Sequence, residues 1–198
     1  MSVEIRQEPP SALTEYARVP IAFEVRERLA IVAPHARLGG LRLVAEPVNP
    51  PYWKDYDALL ENHPTTWARR YDMAGWGILA AYLGAERTGG AVVVCGAPGV
   101  EMLEGRADLA VLWDLRVAPE WQGQGIGAAL FRAAEVWAVA RGASCLKVET
   151  QDINVAACRF YARQGCVLGG FRRFAYFDLP DEAQLLWYKS LPTGANAG

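Results

Sequence analysis

The segment Gln122-Gly123-Gln124-Gly125-Ile126-Gly127-Ala128 sets three glycines among small and polar residues. Glycine lets the backbone take φ > 0 and approach a ligand closely. The Ala-rich stretch behind the segment reads as a helix, whose first N–H groups and positive dipole end point into the same space. Such a place binds phosphate without a basic side chain. A second constellation is Asn154, Ala157, Cys158 and Tyr161, spaced so that all four share one helical face. The Tyr161 phenol, with a reference pKa near ~10, is protonated at neutral pH and can donate a proton; a buried aromatic is the plain reading of the same residue. Asp114 and Glu149 stand two residues from Arg116 and Lys147, and structural pairing with them is the plain reading.

These groups need elements to hold them. Leu109–Val117 reads as a strand, 118–127 as a loop and 128–141 as an amphipathic helix stopped at Gly142, with Leu130, Ala134, Trp137 and Ala138 on its apolar stripe. Residues 145–150 form a strand, and 154–164 a helix with Asn154 as N-cap and Gly165 as stop. A strand–helix–strand unit requires a parallel pair with a right-handed crossover. Upstream, Phe23–Val32 and 41–48 alternate like strands, and Asn49-Pro50-Pro51 reads as a break. Residues 52–62 read as partly helical. Trp76–Leu83 and 91–95 form a hairpin whose turn signal is Thr88-Gly89-Gly90. Segments 167–172, 174–178 and 184–191 are strand-like. The expected fold is α/β of the α+β mixed kind: one domain over 1–198, with an irregular lead-in at 1–20 and a mobile tail at 192–198. Hairpins beside the parallel pair make the sheet mixed.

Three readings of the glycine segment compete. It is a turn without a ligand, a dinucleotide fingerprint or an acyl-CoA loop. Gly123, Gly125 and Ala128 fit G-x-G-x-x-G/A, and Glu149 lies about where a ribose-binding acid would sit. Yet Ala118–Gln122 separate the glycines from the strand, and too little chain follows for further βαβ units.

Gln122, Gly125 and Gly127 satisfy (Gln or Arg)-x-x-Gly-x-(Gly or Ala), and the segment resembles the pyrophosphate loop of the GNAT family of N-acetyltransferases. Asn154, Ala157, Tyr161 and Gly165 resemble that family's second motif, Asn-x-x-Ala-x-x-x-Tyr-x-x-x-Gly, in the right order. The resemblance implies a GNAT fold, a central mixed sheet flanked by helices with acyl-CoA in the split of the sheet. It implies that Gln122, Gly123, Gln124, Gly125, Ile126, Gly127 and Ala128 hold the pyrophosphate through backbone N–H groups, and that Leu115, Arg116 and Val117 pair with pantetheine. Asn154 and Ala157 also fall to the cofactor. Acetyl-CoA is then the cofactor, CoA a product, and no metal is needed. Tyr161 protonates the departing sulfur, Asp114 or Glu149 takes the amine proton directly or through water, and backbone N–H near Leu115 or Val117 meets the oxyanion.

The run from Val148 to Tyr161 is more particular. Glu149-Thr150-Gln151-Asp152-Ile153-Asn154, with the helix behind it, closely resembles streptothricin acetyltransferases. Leu186-Trp187-Tyr188 resembles their closing strand, and Tyr52–Asp57 loosely their aromatic–acidic segment. The likeness runs roughly from Tyr52 to Leu191 and is dense from Asp114 to Tyr161. Trp113 stands where those enzymes often have an acid, and Gly165 is followed by Cys166 rather than Phe. The resemblance implies a small cationic amine as acceptor, with Glu149, Asp152 and Trp113 as substrate-binding residues. A protein or peptide amine is an alternative acceptor, and a non-catalytic acyl-CoA sensor an alternative role; retention of Tyr161 argues against the sensor.

Composition is that of an ordinary globular chain. The chain has 198 residues, 52% hydrophobic and 21% charged, with net charge −2. That is globular and lacks the basic footprint of a nucleic-acid binder. Cys95, Cys145, Cys158 and Cys166 fit no zinc spacing, and only His35 and His63 are present. Residues 1–20 carry charge throughout and show no apolar signal region, and no apolar run spans a bilayer. The expectation is a cytoplasmic monomer or homodimer with free thiols, acting on a small-molecule amine without nucleic-acid or membrane partners.

Overall fold

The computed structural model describes residues 2–33 and 40–192. The expected tail from 193 onward and His35 fall outside the described residues. Nine strands and four helices are described: β1 (Glu4–Glu8), α1 (Leu13–Tyr16), β2 (Phe23–Val32), β3 (Arg42–Lys54), α2 (Pro64–Arg70), β4 (Trp76–Leu83), β5 (Glu86–Cys95), β6 (Leu109–Val117), α3 (Ile126–Val139), β7 (Cys145–Gln151), α4 (Val155–Arg163), β8 (Val167–Arg172) and β9 (Gln184–Ser190). The chain forms two compact units. One holds residues 2–21, 55–148 and 188–192 of those described, the other 22–33, 40–54 and 149–187.

The first unit carries a mixed sheet in the order β1-β4-β5-β6-β7-β9. Strands β1, β4, β5 and β6 pair antiparallel in succession, and β6 and β7 run parallel across the α3 crossover. Helix α3 packs on one face. A Cβ on Gly77 would lie 2.3 Å from the Trp137 ring, so glycine there lets α3 sit close to β4. The other face carries the core cluster of Leu13, Tyr16, Trp67, Trp76, Ile78, Val92, Val94 and Val111 with their neighbours. Tyr16 needs room: a Cβ on Gly90 would lie 2.5 Å from its ring.

That contact explains a difference from the sequence reading. Thr88, Gly89 and Gly90 are inside β5, and the turn falls at Gly84, whose φ is +62°. These glycines serve packing rather than chain reversal, because adjacent strand residues face opposite sides. The lead-in is also more regular than expected, since β1 pairs with β4 from Glu4↔Tyr82 to Glu8↔Ile78.

The second unit holds the β2–β3 hairpin, α4, β8 and the other halves of β7 and β9. Strand β3 runs through Asn49-Pro50-Pro51, with the Asn49–Pro50 bond cis. Pairing skips from Val25↔Tyr52 to Glu27↔Pro47, so Val48–Pro51 loop out opposite Arg26 and the strand resumes. The expected strand at 174–178 is a turn, with Phe174 at φ 58° and Phe177 exposed. Asn154 caps α4 as expected, its Oδ1 accepting from the Ala157 N–H at 3.1 Å.

Candidate functional site

The glycine segment is built in the first unit. After β6 the chain makes a short 3-10 turn at Pro119–Trp121 and enters α3 at Ile126. Gly123 and Gly125 have φ of +76° and +84°, a region that suits glycine. Open space surrounds the position of a Cβ at either residue. Gly125 is the N-cap of α3 and offers no side chain, and the first turn of α3 contains no acidic residue. The first intrahelical bond runs from Ala129 N–H to the Gly125 carbonyl at 3.0 Å. The N–H groups of Ile126, Gly127 and Ala128 therefore have no intrahelical acceptor. Residues 122–125 are exposed. Gln122 Nε2 donates to the Val117 carbonyl at 3.1 Å, bracing the loop against the end of β6. The result is an exposed cradle of backbone donors at the positive end of a 14-residue helix.

The sheet opens beside this cradle. β6 pairs with β7 only from Leu109↔Cys145 to Leu112↔Val148. Beyond Leu112, β6 keeps β5 on one side, from Val92↔Asp114 to Gly89↔Val117, and among the described residues no strand pairs with its other side. The β5 partner register jumps between Asp114 and Leu112, so Trp113 is the extra residue of a bulge. An unpaired edge presents free backbone donors and acceptors to an extended ligand carrying amides. Leu115, Arg116 and Val117 lie on that edge, and Gln122–Ala128 follow it.

Behind the edge is a charged cluster that the sequence reading missed in part. Arg116 is only 2% exposed. Its guanidinium donates to Asp114 Oδ1 at 2.9 Å and Oδ2 at 2.7 Å, to Asp57 Oδ2 at 2.7 Å and Oδ1 at 3.2 Å, and to the Val19 carbonyl at 3.1 Å. Tyr16 Oη–H also donates to Asp114 Oδ1. Burial alone would pull the Arg116 pKa down; the charge and hydrogen bonds of its partners outweigh this and raise it. Burial, then the Asp114 charge, pushes Tyr16 well above its usual 10.0. A group raised in the folded state stabilises below its unfolded pKa, so the Tyr16 contribution is full at neutral pH and fades as pH climbs past about 10.

Asp114 was expected as a candidate base. Both of its oxygens already accept from buried donors, which ties the carboxylate to Arg116. Asp57 appeared in the sequence only as one acid of an acidic segment; a partner 59 residues away leaves no local signal. Lys147, 3% exposed, pairs with Glu104 at 2.6 Å and the Met102 carbonyl at 3.1 Å rather than with Glu149. Trp113 packs edge-on against Trp67, Tyr71 and Trp76.

The remaining candidates lie in the second unit. Tyr161 is 7% exposed on α4 and stacks edge-on against Phe160. Its face carries Cys158, whose thiol burial raises to about 11, so it stays a protonated thiol. Glu149 is half-buried and accepts from Tyr176 Oη–H at 2.7 Å. Asp152, 1% exposed, accepts from Arg28 at 3.0 Å and from the Ala183 N–H at 2.9 Å. Both of its oxygens are thus engaged inside the unit. Among the described residues no three His, Cys, Asp or Glu side chains gather as metal ligands, and no helix is long and apolar enough to cross a membrane.

Known proteins resemble this chain in sequence and in fold. A profile described as the acetyltransferase (GNAT) family matches residues 42–166. Streptothricin acetyltransferase A of Bacillus subtilis (strain 168) is 36% identical over 81 residues, 40% of this chain and 47% of the relative. The chain thus spans about half the length of the curated relatives it matches. A crystal structure of a protein from Bacillus anthracis str. Ames in complex with acetyl coenzyme A superposes with a TM-score of 0.75 at 26% identity, over 96% of this chain and 100% of that one. Nourseothricin acetyltransferase superposes equally well, with a TM-score of 0.75 at 24% identity, over 97% and 100%.

Proposed function

Since the chain belongs to the acetyltransferase (GNAT) family, we propose that it is an N-acetyltransferase moving the acetyl group of acetyl-CoA to a primary amine of a small cationic molecule. The observation that carries this reading is the open β6 edge leading into the donor cradle at the start of α3. An edge that ends in a phosphate-binding helix terminus fits a ligand made of an extended amide chain joined to a pyrophosphate. The cradle holds no basic side chain, and a backbone-held pyrophosphate needs none.

When bound, acetyl-CoA supplies an activated acetyl thioester. Backbone N–H groups of Gln122 to Ala128 hold the pyrophosphate, and Leu115, Arg116 and Val117 align the pantetheine. The amine nitrogen forms the new C–N bond, the C–S bond breaks, the sulfur gains a proton and the amine loses one. Tyr161 is our acid for the sulfur. Glu149, or a water it holds, is our base for the amine, because each Asp114 oxygen is already bonded to a buried donor. Asp114 instead holds Arg116 and, through it, the strand. Streptothricin is the first acceptor to try, since curated relatives named for it are 36% identical over 81 and 84 residues.

The test is calorimetric titration with acetyl-CoA followed by a thiol-release assay on a panel of amines. Binding plus turnover of a small amine supports the reading; no binding sinks it, and binding without any turnover leaves only a sensor. Gly125→Val should weaken acetyl-CoA binding by roughly a hundredfold, the loss of about two charge-assisted hydrogen bonds. A β-branched residue cannot hold φ +84° without strain, and its side chain would fill the cradle. Unchanged affinity in a folded variant would remove the loop from the site. Glu149→Gln should lower kcat by about 10²-fold or more in a folded variant, since the amine proton then loses its acceptor. Asp114→Asn should lower kcat less than Glu149→Gln does in a folded variant; the opposite pattern would return the base to Asp114.

A further inference from the structure

The turn between β8 and β9 reaches back to the proposed base. Tyr176 Oη–H donates to Glu149 Oε1 at 2.7 Å, joining residues 27 positions apart. Glu149 Oε2 accepts from no group among the described residues and keeps contact with solvent. Glu149 therefore differs from the other candidate carboxylates. Asp152 has both oxygens engaged, by Arg28 and the Ala183 N–H. Asp114 has both engaged by Arg116 and Tyr16. One oxygen held and one free suits a carboxylate that is aimed and still able to take a proton.

The contact is not what holds the turn. Its ends are fixed to the β2–β3 hairpin. Arg173 donates to the Ile31 carbonyl, Arg28 to the Asp181 carbonyl at 3.0 Å, and Lys54 to both oxygens of Glu182 at 2.8 and 3.0 Å. Nor do its flanking rings anchor it in a core, since Phe174 is 79% exposed and Phe177 98% exposed. Phe174 also sits at φ 58°, a region unfavourable to an aromatic residue. Such strain persists where the surroundings fix it, and it clusters at functional sites. Between these two exposed rings, Tyr176 reaches β7 through its polar end.

We infer that Tyr176 is a positioning residue for the acetyl transfer: by holding Oε1 it fixes the Glu149 carboxylate so that Oε2 takes the proton of the attacking amine. The inference rests on the acetyltransferase reading above, with Glu149 as base, and adds the residue that aims it. As the amine nitrogen bonds to the acetyl carbon and the C–S bond breaks, the amine proton passes to Oε2, directly or through one water. It leaves later to solvent. The Tyr176 proton stays on its phenol throughout. A glutamate side chain left unheld samples several rotamers, and a small misplacement of a base slows the reaction strongly.

Tyr176→Phe keeps the ring and removes the donor. The thiol-release assay uses streptothricin, or whichever amine of the panel turns over fastest. There the variant should lower kcat about tenfold, the worth of one hydrogen bond to a charged group. Acetyl-CoA affinity by calorimetry should stay within about twofold of wild type, since the proposed cradle and β6 edge are built from other residues. The decisive measurement is the double variant. Once Glu149→Gln has removed the base, adding Tyr176→Phe should lower kcat further by less than about twofold, because a residue that acts through Glu149 has nothing left to aim. A further fall as large as in the single variant would show an independent role and overturn the inference. So would an unchanged kcat in the single variant, or a fall in kcat matched by a fall in acetyl-CoA affinity, the mark of a structural tyrosine. An unchanged kcat in Glu149→Gln overturns the base and its positioning residue together, with the acetyltransferase reading intact. A wild-type chain that does not bind acetyl-CoA overturns that reading and the inference with it.

Discussion

Arg116→Met should lower the unfolding free energy by about 3–5 kcal/mol, the usual cost of removing one partner from a buried ion network. The guanidinium is 99% buried (1% exposed) and the side chains of Asp57 and Asp114 are 15% and 9% exposed, so solvent does little to relieve the two carboxylates left behind. Tyr16 Oη–H then remains as a donor to Asp114, and Asp57 keeps none of its Arg116 bonds. For a chain of this size the loss corresponds to a fall in Tm of roughly 10 °C. Urea titration of wild type and variant measures it. A change below about 1 kcal/mol, the range of an exposed pair, would mean that water reaches the cluster freely. Adding Asp57→Asn to Arg116→Met should recover part of the loss, because it removes one of the stranded charges. A simple packing role for the arginine stem predicts no such recovery.

The second large effect concerns chemistry rather than stability. Tyr161→Phe should lower kcat by about 10²- to 10³-fold, as expected when a positioned general acid is removed. Phenylalanine keeps the ring, and with it the edge-on contact to Phe160 at 5.2 Å. Acetyl-CoA affinity should stay close to wild type, since the proposed cradle and β6 edge are built from other residues. Equal falls in kcat and affinity would make the tyrosine a packing residue, and an unchanged kcat would end its role as the acid. The thiol-release assay and a calorimetric titration separate these cases.

Much of this site could be read from the chain because its determinants are local. The loop needs positive φ at Gly123 and Gly125, and glycine is written at both. The cap of α4 needs an oxygen three residues before Ala157, and Asn154 supplies it. The periods of β4, β6, α3 and α4 lie in contiguous residues, so the strand–loop–helix order followed directly. Membership of the family follows from the same stretches, where the two motifs stand in order.

Other features needed the folded chain. Thr88-Gly89-Gly90 looks like a turn, and only the Tyr16 ring lying against Gly90 shows that small residues are required inside β5. Strand β1 is too short and too charged to announce itself without β4 beside it. The fate of Asp114 depends on Arg116, Asp57 and Tyr16, and Tyr16 lies 98 residues away. The bulge at Trp113 and the open edge of β6 are properties of pairing, not of composition. The sequence by itself determined the β6–loop–α3–β7–α4 succession, the glycines of the cradle and the family, because backbone conformation there is set by neighbours along the chain. Tertiary structure alone decided which carboxylate is engaged and where the sheet opens, because charge pairing and strand register join residues that chain order keeps apart.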